Sequence, residues 1–153
     1  MSRPIKRPLM AAAFSLAVAV AAGAAPATSA RAADVTVQWL GQAAFKITSP
    51  GGKVIVIDPF ITRNPKTPAE HKDLKKLGKV DLILVTHGHG DHLGDTGALA
   101  KMTGAKVAMN ADMGSTVGSL GIVPGKQLIR FNKSGPITPI GAGITVTMVR
   151  AEH

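Results

Sequence analysis

Short apolar runs separated by glycine, proline and polar residues dominate the chain after residue 32. Runs of about four to eight residues that are rich in valine and isoleucine are typical of β-strands, and alternation of apolar and polar positions indicates one buried face. Ser49–Gly52, which reads Ser-Pro-Gly-Gly, predicts a hairpin turn between two such runs. The predicted strands span residues 35–40, 44–48, 53–58, 80–85, 106–110, 127–131 and 143–150.

Helical patterns lie between several of these runs. Helices are predicted over residues 93–102 and 111–120. A shorter helix is predicted with Thr67 as its N-cap and Pro68 at its first position. Strands that alternate with helices form layered α/β structures, so we expect a mixed β-sheet with helices on its outer face.

The first 32 residues have the features of a secretory signal peptide. Basic residues precede an alanine-rich apolar stretch over 9–25, and Ala-Arg-Ala at 30–32 supplies a cleavage site between small residues. An uncleaved anchor is the alternative, although the stretch is slightly short for a membrane-spanning helix. We expect cleavage after Ala32, a periplasmic or secreted domain over 33–153, and no stable membrane association afterwards.

The charge of the chain indicates the kind of partner to expect. The formal net charge of +9 falls to +5 on cleavage, because the leader takes four basic residues and no acidic ones. The lysines at 72, 75, 76 and 79 form one cluster, which a solvated helix face explains. One tryptophan and no tyrosine give little support to a nucleic-acid surface. A small-molecule substrate is expected, and the positive field favours an acidic or phosphorylated one; the pattern predicts no oligomeric state.

The segment Thr86–His92 reads Thr-His-Gly-His-Gly-Asp-His and places three of the five histidines and one aspartate within six positions. It follows the predicted strand 80–85 and precedes the predicted helix 93–102. The histidines therefore lie at the carboxyl end of a strand, where ligand sites gather in α/β proteins. Imidazole and carboxylate groups at such spacing indicate a metal site.

The spacing predicts two adjacent metal ions. Residues two apart in extended backbone point the same way, so His87 and His89 are expected to converge on one ion. The side chain of Asp91 is expected to point the same way as those of His87 and His89, whereas His92 begins the turn into the helix. Asp91 and His92 are predicted to bind the second ion. The chain has no cysteine, and nitrogen and oxygen donors favour zinc, with manganese or iron as alternatives. A solvated histidine-rich turn and metal binding without catalysis remain open alternatives.

Two residues outside this segment also have predicted roles. Asp58 ends a predicted strand before Pro59. Its carboxylate is predicted to accept a hydrogen bond from the segment Thr86–His92, called the histidine loop below, and to orient a metal ligand. An Asp-Pro turn without such a contact is the alternative. His71 lies on the short predicted helix, and we interpret it as an exposed residue and not as a ligand.

The His-x-His-x-Asp-His segment resembles the signature of metallo-β-lactamase-fold hydrolases. Residues 37–45 (VQWLGQAAF) and 54–60 (VIVIDPF) resemble the branch that contains L-ascorbate-6-phosphate lactonase-like and uncharacterised metal-dependent hydrolases. The resemblance runs from about residue 35 to residue 153. It implies the first half of an αββα sandwich, truncated at its C-terminus.

The resemblance also implies a fifth ligand. In this family a third histidine on a later strand edge completes the first metal site, and His153 follows the alternating segment 144–150 in that way. Family members continue with a Gly-Asp-containing segment, whose aspartate bridges both ions, and a later histidine; neither is in this sequence. Half a sandwich leaves an inner sheet face uncovered, so we expect an unstable, aggregated or dimerised chain.

The function implied by the resemblance is that of an exported metal-dependent hydrolase. A metal-bound hydroxide would attack an ester, lactone, amide or phosphodiester, with Asp91 also positioning or deprotonating the attacking water. An iron-dependent oxygenase of the same fold and a noncatalytic metal-binding fragment are the alternatives. β-Lactam hydrolysis is a lesser alternative, because the flanking segments resemble another branch.

Overall fold

The computed structural model describes residues 34–133, 135–141 and 143–150; the predicted signal peptide and His153 lie outside them. The strands are β1 (Thr36–Gly41), β2 (Ala44–Thr48), β3 (Val54–Ile57), β4 (Leu82–Leu84), β5 (Lys106–Asn110), β6 (Leu128–Phe131), β7 (Pro136–Ile137) and β8 (Val146–Thr147). The helices are α1 (Gly90–Leu93), α2 (Thr96–Thr103) and α3 (Ala111–Ser119), with 3-10 turns at Ala69–His71, Leu74–Leu77 and Gly125–Gln127. No helix in the described ranges is long and apolar enough to span a bilayer.

Strands β1 to β6 form one mixed sheet in sequential order. The first three strands are antiparallel, and β3 to β6 run parallel. The backbone N–H of Gly52 donates to the carbonyl of Ser49 at 2.9 Å, which closes the predicted hairpin turn between β2 and β3. The expected mixed sheet is therefore confirmed.

One face of this sheet packs against the helices. Val56, Ile83 and Val107 alternate with residues of the opposite face and are fully buried. They share a core with Leu99 of α2 and Val117 of α3. Burying apolar side chains of this size stabilises the fold by about 1.5–3 kcal/mol each. The alternation places these side chains on one face of the sheet, and the helices pack there because they bury them.

The opposite face is apolar across its width but only partly covered. Ile55 and Leu82 are buried in a second cluster, to which β7 and β8 contribute. The strand register continues this face from Leu82 through Ile55 to Val37 on β1. Val37 and Trp39 are 60% and 52% exposed. The face expected to be uncovered is thus covered at its centre by residues of β7 and β8 and exposed only towards β1. Instability, aggregation or dimerisation stays a prediction.

The helix predicted over 93–102 is two helices. Gly94 has a φ of 33° and ends α1, and Asp95 precedes α2. The Asp95 carboxylate accepts hydrogen bonds from the backbone N–H groups of Ile61 and Thr62, both at 2.8 Å. Continuous periodicity in the sequence hides this break, because its cause is a contact with a distant loop.

The short helix after Thr67 differs from the prediction. Thr67 is not its N-cap: the buried hydroxyl donates to the carbonyl of Leu40 at 2.5 Å. Pro68 occupies the N-cap position of a 3-10 turn over Ala69–His71. The Thr67 hydroxyl is bonded to the carbonyl of Leu40 on β1 and therefore does not cap the turn.

The strand predicted over 143–150 is also shorter than expected. Within this range only Val146–Thr147 forms a strand, β8, which pairs with β7 (Pro136–Ile137) in a separate two-stranded sheet. Sequence reasoning missed the partner strand because a proline lowers strand propensity and is confined to edge positions.

Asp81 ties together the amino ends of the parallel strands. Its carboxylate accepts from the backbone N–H of Val54 at 2.9 Å and lies 2.8 Å from the Lys79 ammonium and 3.5 Å from that of Lys53. Burial opposes the charged form and raises the pKa, but the Lys79 and Val54 hydrogen bonds and the two lysine charges hold the pKa of Asp81 below its ordinary value of 3.8.

We expect acid to weaken the fold through Asp81. A carboxyl whose pKa is lowered on folding contributes stability above its unfolded-state pKa, and this contribution is lost as the pH falls through the folded-state pKa. Urea unfolding should therefore show a larger difference in stability between wild type and Asp81→Asn at about pH 6 than at about pH 2.5. Asp112→Asn, at an exposed carboxyl, is the control. A pH-independent gap for Asp81→Asn would contradict this account.

Candidate metal centre

The histidine loop leaves the carboxyl end of β4. His89 has extended backbone angles (φ −65°, ψ 148°) and is the N-cap of α1, which begins at Gly90. Asp91 therefore lies in the first helical turn and does not continue the side-chain direction predicted for His87 and His89. That part of the prediction is wrong, because the helix begins one residue before Asp91.

His87 and His89 face each other. Nε2 of His87 lies 3.0 Å from Nδ1 of His89, and the rings meet nearly edge to face at 76°. Two nitrogens bound to one tetrahedral zinc, each about 2.0–2.1 Å from the metal, are about 3.3 Å apart. The separation of the two nitrogens therefore suits two ligands of a single ion.

Asp91 and His92 are also neighbours. Oδ2 of Asp91 lies 3.9 Å from Nε2 of His92, and their side chains are 50% and 18% exposed. The structure thus brings the residues together in the two pairs that the sequence indicates. Their roles as ligands stay a prediction.

Asp58 lies beneath the loop, with 2% of its surface exposed. Its carboxylate accepts three hydrogen bonds: from the Thr86 backbone N–H at 2.8 Å, from the Thr86 hydroxyl at 2.7 Å and from Nδ1 of His92 at 2.8 Å. The backbone of Asp58 has a φ of 44°, which aspartate and asparagine tolerate better than most residues. The predicted hydrogen bond from the histidine loop is present.

These hydrogen bonds select the tautomers of two histidines. A carboxylate only accepts, so His92 donates from Nδ1, and a neutral ring then keeps its lone pair on Nε2. The Thr86 hydroxyl spends its single hydrogen on Asp58 and therefore accepts from Nδ1 of His87 at 3.1 Å. The lone pair of His87 is then on Nε2, the atom that faces His89. One buried carboxylate thus leaves an unprotonated Nε2 on each of two neutral rings, as a metal ligand requires.

Thr86 is the functional residue that sequence reasoning missed. It connects Asp58 to His87 through its hydroxyl and holds the loop through its backbone N–H. Its position directly before the histidine motif was the available signal. A threonine after a run of branched apolar residues is typical of the end of a strand, so the pattern did not predict a functional role for Thr86.

The donor set fits part of a metal site. Within the described ranges, no group of three or more histidine, cysteine, aspartate or glutamate side chains is arranged to hold one ion. Zinc sites use at least three protein ligands, so the His87–His89 pair needs another. His153, the predicted third ligand, lies outside the described residues.

His71 is separate from the loop. Its ring lies on the 3-10 turn against β1, where its Nε2 is 3.0 Å from Nε2 of Gln38. The residue is half-buried, so the predicted exposed position is wrong. The turn packs against the sheet through this contact, which helical periodicity did not indicate.

Comparison with known proteins identifies the family. Residues 53–153 match a family model for the beta-lactamase superfamily domain. The chain belongs to this superfamily. A UPF0173 metal-dependent hydrolase of Cupriavidus taiwanensis is 54% identical over 144 residues, which cover 88% of this chain and 50% of that protein. Another of Cupriavidus necator is 55% identical over 129 residues, covering 84% of this chain and 45% of that protein.

A solved structure supports the same fold. Igni18, a metallo hydrolase from Ignicoccus hospitalis, has a TM-score of 0.68 and 31% identity, covering 78% of this chain and 49% of its own. This superfamily member thus has the expected metallo-β-lactamase-type α/β architecture. The chain spans about half the length of the curated relatives it matches. The resemblance to the ascorbate-lactonase branch stays a prediction.

Proposed function

We propose that this chain carries the first ligands of the metal centre of a metal-dependent hydrolase. The observation that carries the proposal is the approach of His87 Nε2 to His89 Nδ1 at 3.0 Å, above the buried carboxylate of Asp58. The names of the two Cupriavidus relatives support the reaction class. These names favour a hydrolase over an iron-dependent oxygenase.

The proposed ligands fall into two sets. His87 and His89, with His153, would hold one divalent ion, and Asp91 with His92 would hold a second. Zinc suits these donors best, and manganese or iron are the alternatives. A bound ion of this kind lowers the pKa of a coordinated water, so that hydroxide is available near neutral pH.

The chain's own residues orient these ligands and move a proton. Asp58 and Thr86 fix the rings of His87 and His92, so little rotamer freedom is lost when a ligand binds. Asp91 is half exposed beside His92, which supports a role for its carboxylate in positioning or deprotonating the attacking water. These roles suit hydrolysis of an ester, lactone, amide or phosphodiester.

The substrate and the location are part of the same proposal. A small molecule, acidic or phosphorylated, suits the positive charge, and we infer no nucleic-acid partner because the chain has one tryptophan and no tyrosine. Export to the periplasm or beyond is inferred from the leader features of residues 1–32. The oligomeric state is left open by these features.

Replacing His87 by alanine tests the metal centre. We expect His87→Ala to bind about one divalent ion fewer per chain, measured by elemental analysis after zinc loading and dialysis, because the facing nitrogen of His89 loses its partner ligand. His71→Ala is the matched control, since it removes a histidine outside the loop, and it should retain the wild-type metal content.

The result also distinguishes the alternatives. Metal uptake by the wild-type chain without turnover on an ester, lactone and phosphodiester panel would indicate the noncatalytic metal-binding alternative. Equal metal content in His87→Ala and wild type would remove the basis of the proposed centre.

A further inference from the structure

A cavity of about 400 Å³ lies at the edge of the sheet opposite the histidine loop. It adjoins the amino ends of β5 and β6, whereas the histidine loop follows the carboxyl end of β4, which runs parallel to β5. The residues that line it are Lys101, Gly104, Lys106, Pro124, Lys126 and Gln127. The cavity is therefore separate from the candidate metal centre.

The walls of this cavity are held by hydrogen bonds. The Lys106 ammonium donates to the carbonyl of Lys126 at 3.0 Å, and the Lys101 ammonium donates to the carbonyl of Gly121 at 3.2 Å. Buried Gln127 donates to the carbonyls of Ala100 and Ala105 at 2.8 Å and 2.7 Å. Two of the three lysine head groups thus have fixed carbonyl partners, and the 3-10 turn that carries the third lysine is tied to α2 through Gln127.

The charge of the cavity is unbalanced. Three lysines line it, and none of its lining residues is acidic. By contrast, the charges of Lys53 and Lys79 are paired with the carboxylate of Asp81. Like charges around one cavity repel one another, and this repulsion is relieved when an anion binds between them.

We propose that this cavity binds a small anion that carries two phosphoryl groups. Two phosphoryl groups carry about three to four negative charges near neutral pH, which matches three ammonium groups. Lysine binds phosphate as a point charge, and the volume falls within the range of about 300–1,000 Å³ that small-molecule sites occupy. The site does not depend on the proposed hydrolase function.

Inorganic pyrophosphate is the probe that tests this site. Titration calorimetry on metal-free protein should show one binding event, and the variant K101Q/K106Q/K126Q should weaken it about 10-fold or more. The control K72Q/K75Q/K76Q removes the same charge from the cluster near the 3-10 turns and should bind as wild type does. His87→Ala should also bind normally, which separates this site from the metal centre.

Three outcomes would overturn the proposal. Equal weakening by both triple variants would show a diffuse charge effect, and absence of pyrophosphate binding would remove the site. Citrate binding as tight as that of pyrophosphate would show a site for charge alone. Should the triple variant fail to fold, K126Q decides the matter. The Lys126 ammonium has no hydrogen-bond or ion-pair partner among the residues that the structure describes, so K126Q should fold normally and bind pyrophosphate several-fold more weakly, and unchanged binding would contradict the assignment.

Discussion

Replacing Asp58 by asparagine is expected to weaken zinc binding about 10- to 100-fold, because in the proposed centre the residue would orient the ligands without touching the metal. The carboxylate accepts from the Thr86 backbone, the Thr86 hydroxyl and His92. An asparagine side chain has one acceptor oxygen, and its amide group would face at least one of these donors. The same change should lower the free energy of unfolding by about 2–4 kcal/mol, since buried donors lose a charged partner.

Asparagine is the informative replacement at this position. The φ of 44° at Asp58 is tolerated by asparagine, so backbone strain does not contribute to the result. A competition titration against a zinc chelator measures the affinity, and urea unfolding of the metal-free protein measures stability. Asp112→Asn, at an exposed carboxyl of α3, is the control and should leave zinc binding unchanged. Wild-type zinc affinity in Asp58→Asn would show that the hydrogen bonds do not prepare the histidines.

The sheet could be predicted from the sequence because its strands are marked by local chemistry. Residues 44–48 and 106–110 have the bounds that the apolar runs predict. Branched side chains at alternate positions bury one face, and turn residues end each run. The partner strand β7 could not be predicted, because it is only two residues long and begins with a proline, whereas β8 lies within the strand predicted over 143–150.

The candidate site divides in the same way. The pairing of His87 with His89 is predicted from the two-residue periodicity of extended backbone. The two rings do meet, although β4 ends at Leu84 and the chain bends over residues 87–89. The placement of Asp91 is not predicted in this way, because it depends on where the helix begins. Thr86 and Asp58 meet across the ends of two parallel strands, and that meeting requires the strand pairing as well as the motif.

Gly94→Ala should disrupt both the fold and the proposed metal centre. The reason is a contact with a distant loop, which local sequence patterns do not reveal. A Cβ at this position would lie 2.7 Å from the Cα of Phe60 and 2.7 Å from the carbonyl oxygen of Pro59. Both are backbone atoms of the loop that follows Asp58, so neither can rotate away. Overpacking, together with the positive φ of 33°, should lower the free energy of unfolding by about 3–5 kcal/mol.

Zinc affinity should fall in Gly94→Ala as well, because separating the α1–α2 junction from this loop moves His92 away from Asp58. Gly52→Ala is the matched control: its φ is 74°, yet a Cβ there would meet nothing within 4 Å. Conformational strain alone should therefore lower its stability by about 1–2 kcal/mol, with zinc affinity unchanged. Chemical unfolding and the zinc competition titration compare the two variants. If Gly94→Ala lost no more stability than Gly52→Ala, the close packing of the junction against the loop after Asp58 would not constrain the histidine loop.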